Sequence, residues 1–468
     1  MSPRCWVPWM ALLAGGCALA AIADRPGVPQ VRVEVTRRGD AWQARYTFDR
    51  AVDAWVFPRS SPTAEDGKDW RLGSWTVETR GVRLQRRGSY DVLSAGRGGV
   101  PLEVSIRFQP VNERLQADYA PALQFSDGSV ALFVAQFECF PMDSVSAAGK
   151  LPSDLNNQLV PAARIEYLFQ DAAGPVLLDG RHAALARTST SDTYVLFGGT
   201  RPIETPDMVG IVDPQLPPWI KDSLTRDVPF LLSRYTQELG RLRDFKPAIM
   251  VSWAGPTPGI VSREGSALRG LIVMKYEGSG VLEETPAQRQ QGLWFIAHEA
   301  AHFWLGQTVG YQYARDAWIT EGGADLLAIR AVAEADPGYD PLPELNRAIE
   351  DCVQLTRRQG VASARDRNQQ RAYYACGVVF GLVAEAGSGR SFYKFARALV
   401  EHNRADGVVA RADWLAELDD ATRNPLLRRD IERLLDRGVP DPAQFLADLF
   451  TRARISFEVD SSGIPRLR

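Results

Sequence analysis

From Val31 to Val212 the apolar residues recur at every second position. The stretch "VRVEVTRRGDAWQARYTFD" places Val31, Val33 and Val35 on one side of an extended chain, followed by Trp42, Ala44, Tyr46 and Phe48. The runs "PLEVSIRF" and "DTYVLFGG" repeat the pattern, with turn-forming residues between them. Such alternation predicts strands that each bury one face, so this part of the chain reads as an all-β sandwich or open barrel. One segment breaks the alternation: "SVALFVAQFECF" is apolar throughout and predicts a strand buried on both faces.

The period changes at "DPQLPPWI", whose prolines suit a linker. Beyond it Ile220, Leu224, Val228, Leu231, Tyr235 and Leu239 fall at helical spacing. Two strand-like runs follow, "PAIMVSWAG" and "LRGLIVMKYEG", and after them the pattern is helical to about Arg452. No internal repeat or low-complexity segment interrupts it. The predicted class is therefore α+β and multidomain: an N-terminal β domain over 24–212, a mixed α/β domain over 213–390 and a helical region over 391–468.

A chain of 468 residues exceeds a single ordinary core, which agrees with two or three domains. Its 45% hydrophobic and 24% charged residues belong to a globular protein. The net charge of −3 gives no electrostatic ground for a nucleic-acid partner, and the short basic run "RLQRR" reads as a solvated strand face. The N-terminus changes the picture more. "MSPRCWVPWMALLAGGCALAAIAD" has an early arginine, an apolar stretch and small residues ending in Ala-x-Ala, the layout of a signal peptide over 1–23, cleaved after Ala20 or Ala23. The small residues before Cys17 also fit a lipoprotein signal, which would tether the protein by lipid. The expectation is a secreted or periplasmic protein, or a lipoprotein of the outer-membrane type. Export leaves Cys139, Cys352 and Cys376. Three thiols make no disulfide framework, but Cys352 and Cys376 lie in neighbouring helical segments, where they either bridge or stay as buried thiols.

The candidate chemistry lies in "TPAQRQQGLWFIAHEAAHFWLGQ". Proline at the first position after Thr285 marks a helix start, because its missing N–H costs nothing there. His298 and His302, two of the four histidines in the chain, then stand at i and i+4 on one helix face. Two imidazoles so placed can hold a zinc ion at ~2.0–2.1 Å each. Glu299 points ~100° round the helix, away from the metal but within reach of water beside it. The pattern is the His-Glu-x-x-His signature of zinc-dependent peptide hydrolysis. A catalytic zinc takes a third protein ligand. Glu321, in the helical stretch "AWITEGGADLLAIRAVA", is the candidate, and the two glycines after it permit close approach of another helix or a loose helix start. Asp325, one turn on, either accepts a hydrogen bond from a ligand histidine or is a surface charge. His182 and His402 fall in loop-like or exposed helical sequence and are given no role.

His-Glu-x-x-His, then eighteen residues, then Glu, with "AHFWLGQTVG" and "DAWITEGGA" around these residues, resembles the gluzincin aminopeptidases of the alanyl and glycyl type. The resemblance covers about 110 residues closely and extends to the order of parts: β domain, thermolysin-like catalytic domain, helices. It implies that His298, His302 and Glu321 bind Zn2+, that Glu299 is the general base and that a peptide or protein is the substrate. It also implies a tyrosine in a Tyr-x-x-Gly setting that stabilises the oxyanion, which "RAYYACGVVFGLVAE" supplies as Tyr374, with Tyr373 the neighbouring alternative. The family's amine-binding glutamate has no counterpart: the corresponding position in "SREGSALRGLI" is Ala267 or its neighbour, Glu264 is displaced and Arg269 adds a positive charge. Exo- and endo-cleavage therefore stay open. So do a non-peptide zinc hydrolase and a non-enzymatic binding or scaffold protein on the same fold, although a purely structural zinc would need no base at Glu299. Nothing in the pattern sets an oligomeric state.

Overall fold

The computed structural model describes residues 27–468 apart from Arg97, Asp154, 156–159, Asp207 and Asp244. The stretch expected to be a signal peptide, with Cys17, lies outside the described residues. Where the sequence alternates, the chain forms strands with the expected sidedness. Gln30–Arg38 pairs antiparallel with Ala41–Phe48, placing Val33 opposite Tyr46 and Val35 opposite Ala44, all four fully buried. The six-stranded sheet runs Ala186–Thr188, Arg164–Asp171, Gln30–Arg38, Ala41–Phe48, Glu103–Phe108, Trp75–Val77, and its one parallel pair joins Gln30–Arg38 to Arg164–Asp171. Its inner face shares a core with Trp55 and Phe57 of a four-stranded sheet, where Phe48 stacks on Trp55 at 4.3 Å between ring centres.

The uniformly apolar run does not make one strand. Val130–Phe133 joins a five-stranded sheet, Val134–Phe137 turns as a 3-10 helix, and Phe140–Met142 joins the four-stranded sheet instead. Gln136 explains the break. Its buried amide donates to the carbonyls of Pro121 at 2.7 Å and Phe133 at 3.0 Å, bonds that hold the chain in a turn. The run stays apolar because it crosses the interior between two sheets. In "RLQRR" the strand is present as Val82–Arg87, but Arg86 is drawn inward to the buried Asp91 at 3.0 Å.

The described chain divides into two compact units. One holds the residues up to Glu204 with Val209–Leu216 and Ala248–Leu282; the other holds Thr205–Met208, Pro217–Pro247 and Glu283–Arg468. The two strand-like runs after the linker form Ala248–Trp253 and Leu271–Glu277, parallel neighbours in a sheet of the first unit. Ser262–Leu268 closes that sheet as its antiparallel edge.

The second unit is helical. Pro218–Leu239 buries all six of the residues set at helical spacing. Three further helices carry the candidate chemistry: Pro286–Ala301 (the histidine helix), Trp318–Ala335 (the glutamate helix) and Arg371–Ser388 (the tyrosine helix). The glutamate helix packs between the other two, and Leu342–Leu355 packs on the tyrosine helix. Cys352 and Cys376 form a disulfide across that last pair, while Cys139 is a buried free thiol. Among the described residues the unit also holds four more α-helices, short 3-10 turns, a two-residue parallel pair and a short hairpin. No helix among the described residues is long and apolar enough to cross a membrane.

Candidate active site

The histidine helix begins as its sequence predicts. The Thr285 hydroxyl accepts the N–H of Gln288 and Pro286 takes the first helical position. His298 lies in the last full turn, and His302 sits at the C-cap with α-helical angles (φ −63°, ψ −17°), so the two rings keep their i, i+4 relation. The chain then turns beneath the second ring at Gly306, whose φ is +144°. A Cβ there would stand 3.1 Å from the His302 carbonyl oxygen and 3.3 Å from its Nδ1.

Glu321 meets Tyr374 because two helices meet at glycine. A Cβ on Gly322 would lie 2.3 Å from the Cα of Gly377, and one on Gly377 would lie 2.4 Å from the Trp318 carbonyl oxygen. The glutamate and tyrosine helices thus touch backbone to backbone, one residue from Glu321 and three from Tyr374. Gly323 is different, facing the side-chain tips of Leu305 at 2.8 Å and Phe392 at 4.0 Å and no backbone.

Three donor atoms converge. His298 Nε2 is 3.1 Å from His302 Nε2, and Glu321 Oε2 is 3.5 Å from the second and 3.8 Å from the first. The far sides of both rings are occupied by acceptors: Asp325 Oδ1 stands 2.7 Å from His298 Nδ1, and the Leu305 carbonyl oxygen 2.9 Å from His302 Nδ1. In the neutral rings, acceptors there favour the proton on Nδ1, and the two Nε2 lone pairs then face each other. Two bare lone pairs at that distance repel, as does the buried Glu321 Oε2, which accepts no hydrogen bond. A cation between them resolves all three. Donors ~2.0–2.2 Å from a tetrahedral zinc lie ~3.3–3.6 Å apart, close to the spacing here, so the residues fit the ion.

The electrostatics favour positive charge at the same place, whether a proton on His302 or a cation. Burial pushes the His302 imidazole down, yet the Glu321 carboxylate outweighs it and lifts His302 from 6.5 to about 9. Burial works to raise Glu321, but His302 and then His298 hold it below the ordinary carboxylate value. Tyr374 is raised far above the usual phenol range by burial, then by the charges of Glu321 and Asp325, and its hydroxyl donates to the Glu321 carboxylate. The Glu299 charge bears on both His302 and Tyr374, so this half-buried carboxylate lies near enough to both to be felt.

Every residue singled out for the site is thus in one place. Tyr374 is the tyrosine that faces it, its ring stacked 6.0 Å from that of His298. Tyr373 turns away, accepting the Arg365 N–H and donating to the Ala362 carbonyl. Asp325 is 96% buried against His298, which settles it as a support and not a surface charge. His182 lies in the exposed strand Arg181–Ala183. His402 does have a partner, Glu417 at 3.2 Å, far along the chain and so invisible to local pattern. Two participants were missed. Trp294 leans on His298 with ring centres 5.7 Å apart, and its place four residues earlier was a usable signal. The Leu305 carbonyl was not findable, since a backbone acceptor leaves no mark in residue type.

The chain shares the fold of native yeast LTA4 hydrolase. The two align over 88% of this chain and 68% of that one, with a TM-score of 0.50 and 11% identity. It is also similar to the M1 zinc metallopeptidase from Deinococcus radiodurans (TM-score 0.48, 14% identity, 87% of this chain and 92% of that one). A mutant of that enzyme bound to a Tyr-Ser-Ala substrate gives 0.47 and 13%, over 88% and 95%. No protein-family model and no curated protein matches the chain. At such identities the likeness is one of fold.

Proposed function

We propose that this chain is a zinc-dependent hydrolase of peptide bonds. The observation that carries the reading is the set His298, His302 and Glu321. Its donor atoms converge 3.1–3.8 Å apart, its two Nδ1 atoms are held from behind, and Glu299 and Tyr374 share the pocket. Zinc held by these three residues supplies Lewis acidity to water and to the substrate carbonyl. Glu299, the acid that follows the first ligand in sequence, takes the proton of the attacking water and returns it to the leaving amine. The Tyr374 hydroxyl, which donates to Glu321, turns its hydrogen bond to the oxygen on which charge develops; burial keeps it protonated for that task. Asp325 and the Leu305 carbonyl hold the two rings in the tautomer that directs Nε2 inward.

The aminopeptidase form of this activity meets a specific difficulty. Ala267 and its neighbours, which stand in for the amine-binding glutamate, lie on the edge strand Ser262–Leu268. Glu264 lies three residues from Ala267, hence on the opposite strand face, and pairs with Arg114 at 3.6 Å. The absence of a glutamate at that place in the sequence favours cleavage that is indifferent to a free α-amine. We also propose that the chain is exported, with a mature N-terminus at Ala21 or Asp24. The leader pattern and the Cys352–Cys376 disulfide, a bond at home in an oxidising compartment, support this.

Metal analysis and a peptide-library digest read by mass spectrometry test the proposal, using wild type and Glu299→Gln. The expected result is one zinc per chain in both proteins and hydrolysis by wild type alone, on peptides with free and with acetylated N-termini. Normal hydrolysis by E299Q, or wild type without stoichiometric zinc, overturns the assignment. Hydrolysis confined to free N-termini overturns the indifference to the amine.

A further inference from the structure

Arg371 opens the tyrosine helix, three residues before Tyr374, so the two side chains leave the same helix face. Its guanidinium stands between two carboxylates. Nε is 2.7 Å from Asp351 Oδ2 on the helix Leu342–Leu355, and one terminal nitrogen is 3.9 Å from Asp325 Oδ2. The other Asp325 oxygen is the one 2.7 Å from His298 Nδ1. A line of charge therefore runs from a ligand ring inward to Asp325, then to Arg371 and Asp351, with exposure rising from 8% and 5% at the first two side chains to 27% at the last two.

Asp325 needs an anchor on its far oxygen. A carboxylate turns about its last bond with little resistance, and a turn here would withdraw Oδ1 from the imidazole. A carboxylate this buried is also costly without a countercharge. The histidine supplies none once its Nε2 binds metal, because the ligand form of imidazole is neutral. The cation beside Asp325 Oδ2 is Arg371, whose charge at 3.9 Å holds that oxygen by ion pairing and not by a hydrogen bond.

Resting on the zinc site proposed above, we propose that Arg371 is a positioning residue for the metal: it orients Asp325, which orients His298. Its contact with Asp351 aims the guanidinium but is not the source of the effect. An outer support of this kind contributes on the order of tenfold to metal affinity.

The test is zinc affinity, measured by competition with a chromophoric chelator on the full chain, with the melting temperature of the metal-free protein recorded beside it. Wild type is compared with R371M, R371K and D351N; R371Q stands in should R371M fail to fold. The expected result is about tenfold weaker zinc binding in R371M and R371Q. R371K, which keeps a charge within reach of Asp325, and D351N, which loses only the tie between helices, should stay within about threefold of wild type. Wild-type affinity in R371M or R371Q overturns the inference. So does a loss in D351N equal to that in R371M, which would make Arg371 a clamp between helices. A wild type that binds no zinc refutes the zinc site itself, and is told apart from either result by the first titration.

Discussion

Replacing Gly322 with alanine tests the contact that brings Glu321 to Tyr374. The added methyl would start 2.3 Å from Gly377 Cα, 2.4 Å from Gly377 C and 2.7 Å from Val378 N. All three are backbone atoms of a helix interior and none can rotate aside. Ordinary contact requires the helices to part by about 1 Å or more. Alanine gains about 1 kcal/mol of helix propensity over glycine. Overpacking costs about 1–3 kcal/mol and falls at its upper end where only backbone can yield. The net is a loss of about 2 kcal/mol, equivalent to roughly 4–8 °C in the melting temperature of a domain of this size.

The effect on turnover should exceed the effect on stability. A displacement near 1 Å between catalytic groups costs about 100-fold, and the parting acts between the helix bearing Glu321 and the helix bearing Tyr374. Gly323→Ala is the matched control. Its methyl meets the tip of Leu305 at 2.8 Å, a side-chain end that swings away, so stability should stay within about 1 kcal/mol and kcat within about threefold. The assay is thermal melting, zinc content and peptide hydrolysis for the two variants side by side. If G322A melts and turns over like G323A, the helix crossing does not set the geometry of the site and the reasoning fails.

Asp325→Ala should weaken zinc binding by about 10–100-fold while leaving one zinc bound at saturation; unchanged affinity in chelator competition would remove Asp325 from the support of His298. Tyr374→Phe should lower kcat by about 100–1,000-fold with zinc affinity unchanged, as for a lost oxyanion donor; unaltered steady-state kinetics would assign the oxyanion elsewhere. The raised His302 value makes a signed prediction for the metal-free protein. Its folded value near 9 exceeds its ordinary 6.5, so its contribution to stability is complete below ~6.5 and is lost as pH rises through about 9. The melting temperature of the metal-free wild type should therefore fall over that window relative to H302N, and a flat difference would contradict the His302–Glu321 coupling.

What was legible in the sequence is what depends on near neighbours. The i, i+4 histidines, the proline-started helix and the valines of Gln30–Arg38 follow from one period each, and each element formed where its pattern lay. The glycines after Glu321 foretold a close approach without naming the partner, because Gly377 is 55 residues further on. The choice between Tyr373 and Tyr374 and the state of Cys352 and Cys376 depended on which helices meet. Uniform hydrophobicity in "SVALFVAQFECF" concealed a turn made by one polar residue, Gln136, whose carbonyl partners are Phe133, at the end of the preceding strand, and Pro121. Arg371 was passed over for the same reason as His402: its meaning lies in carboxylates on other helices.

The site accordingly joins two kinds of geometry with different tolerance to change. His298, Glu299 and His302 belong to one turn, so their mutual arrangement follows from helix pitch and survives whatever the helix survives. Glu321 and Tyr374 stand on separate helices, held by the Gly322–Gly377 contact and by two ties from the tyrosine helix to Leu342–Leu355, the Arg371–Asp351 pair and the Cys352–Cys376 disulfide. Loosening those ties leaves the two histidines and the base in register and displaces the third ligand from the oxyanion donor. Mild destabilisation of this unit should then reach catalysis through kcat before it reaches the histidine pair, since the hydrogen bond from Tyr374 is the feature that spans the helix crossing.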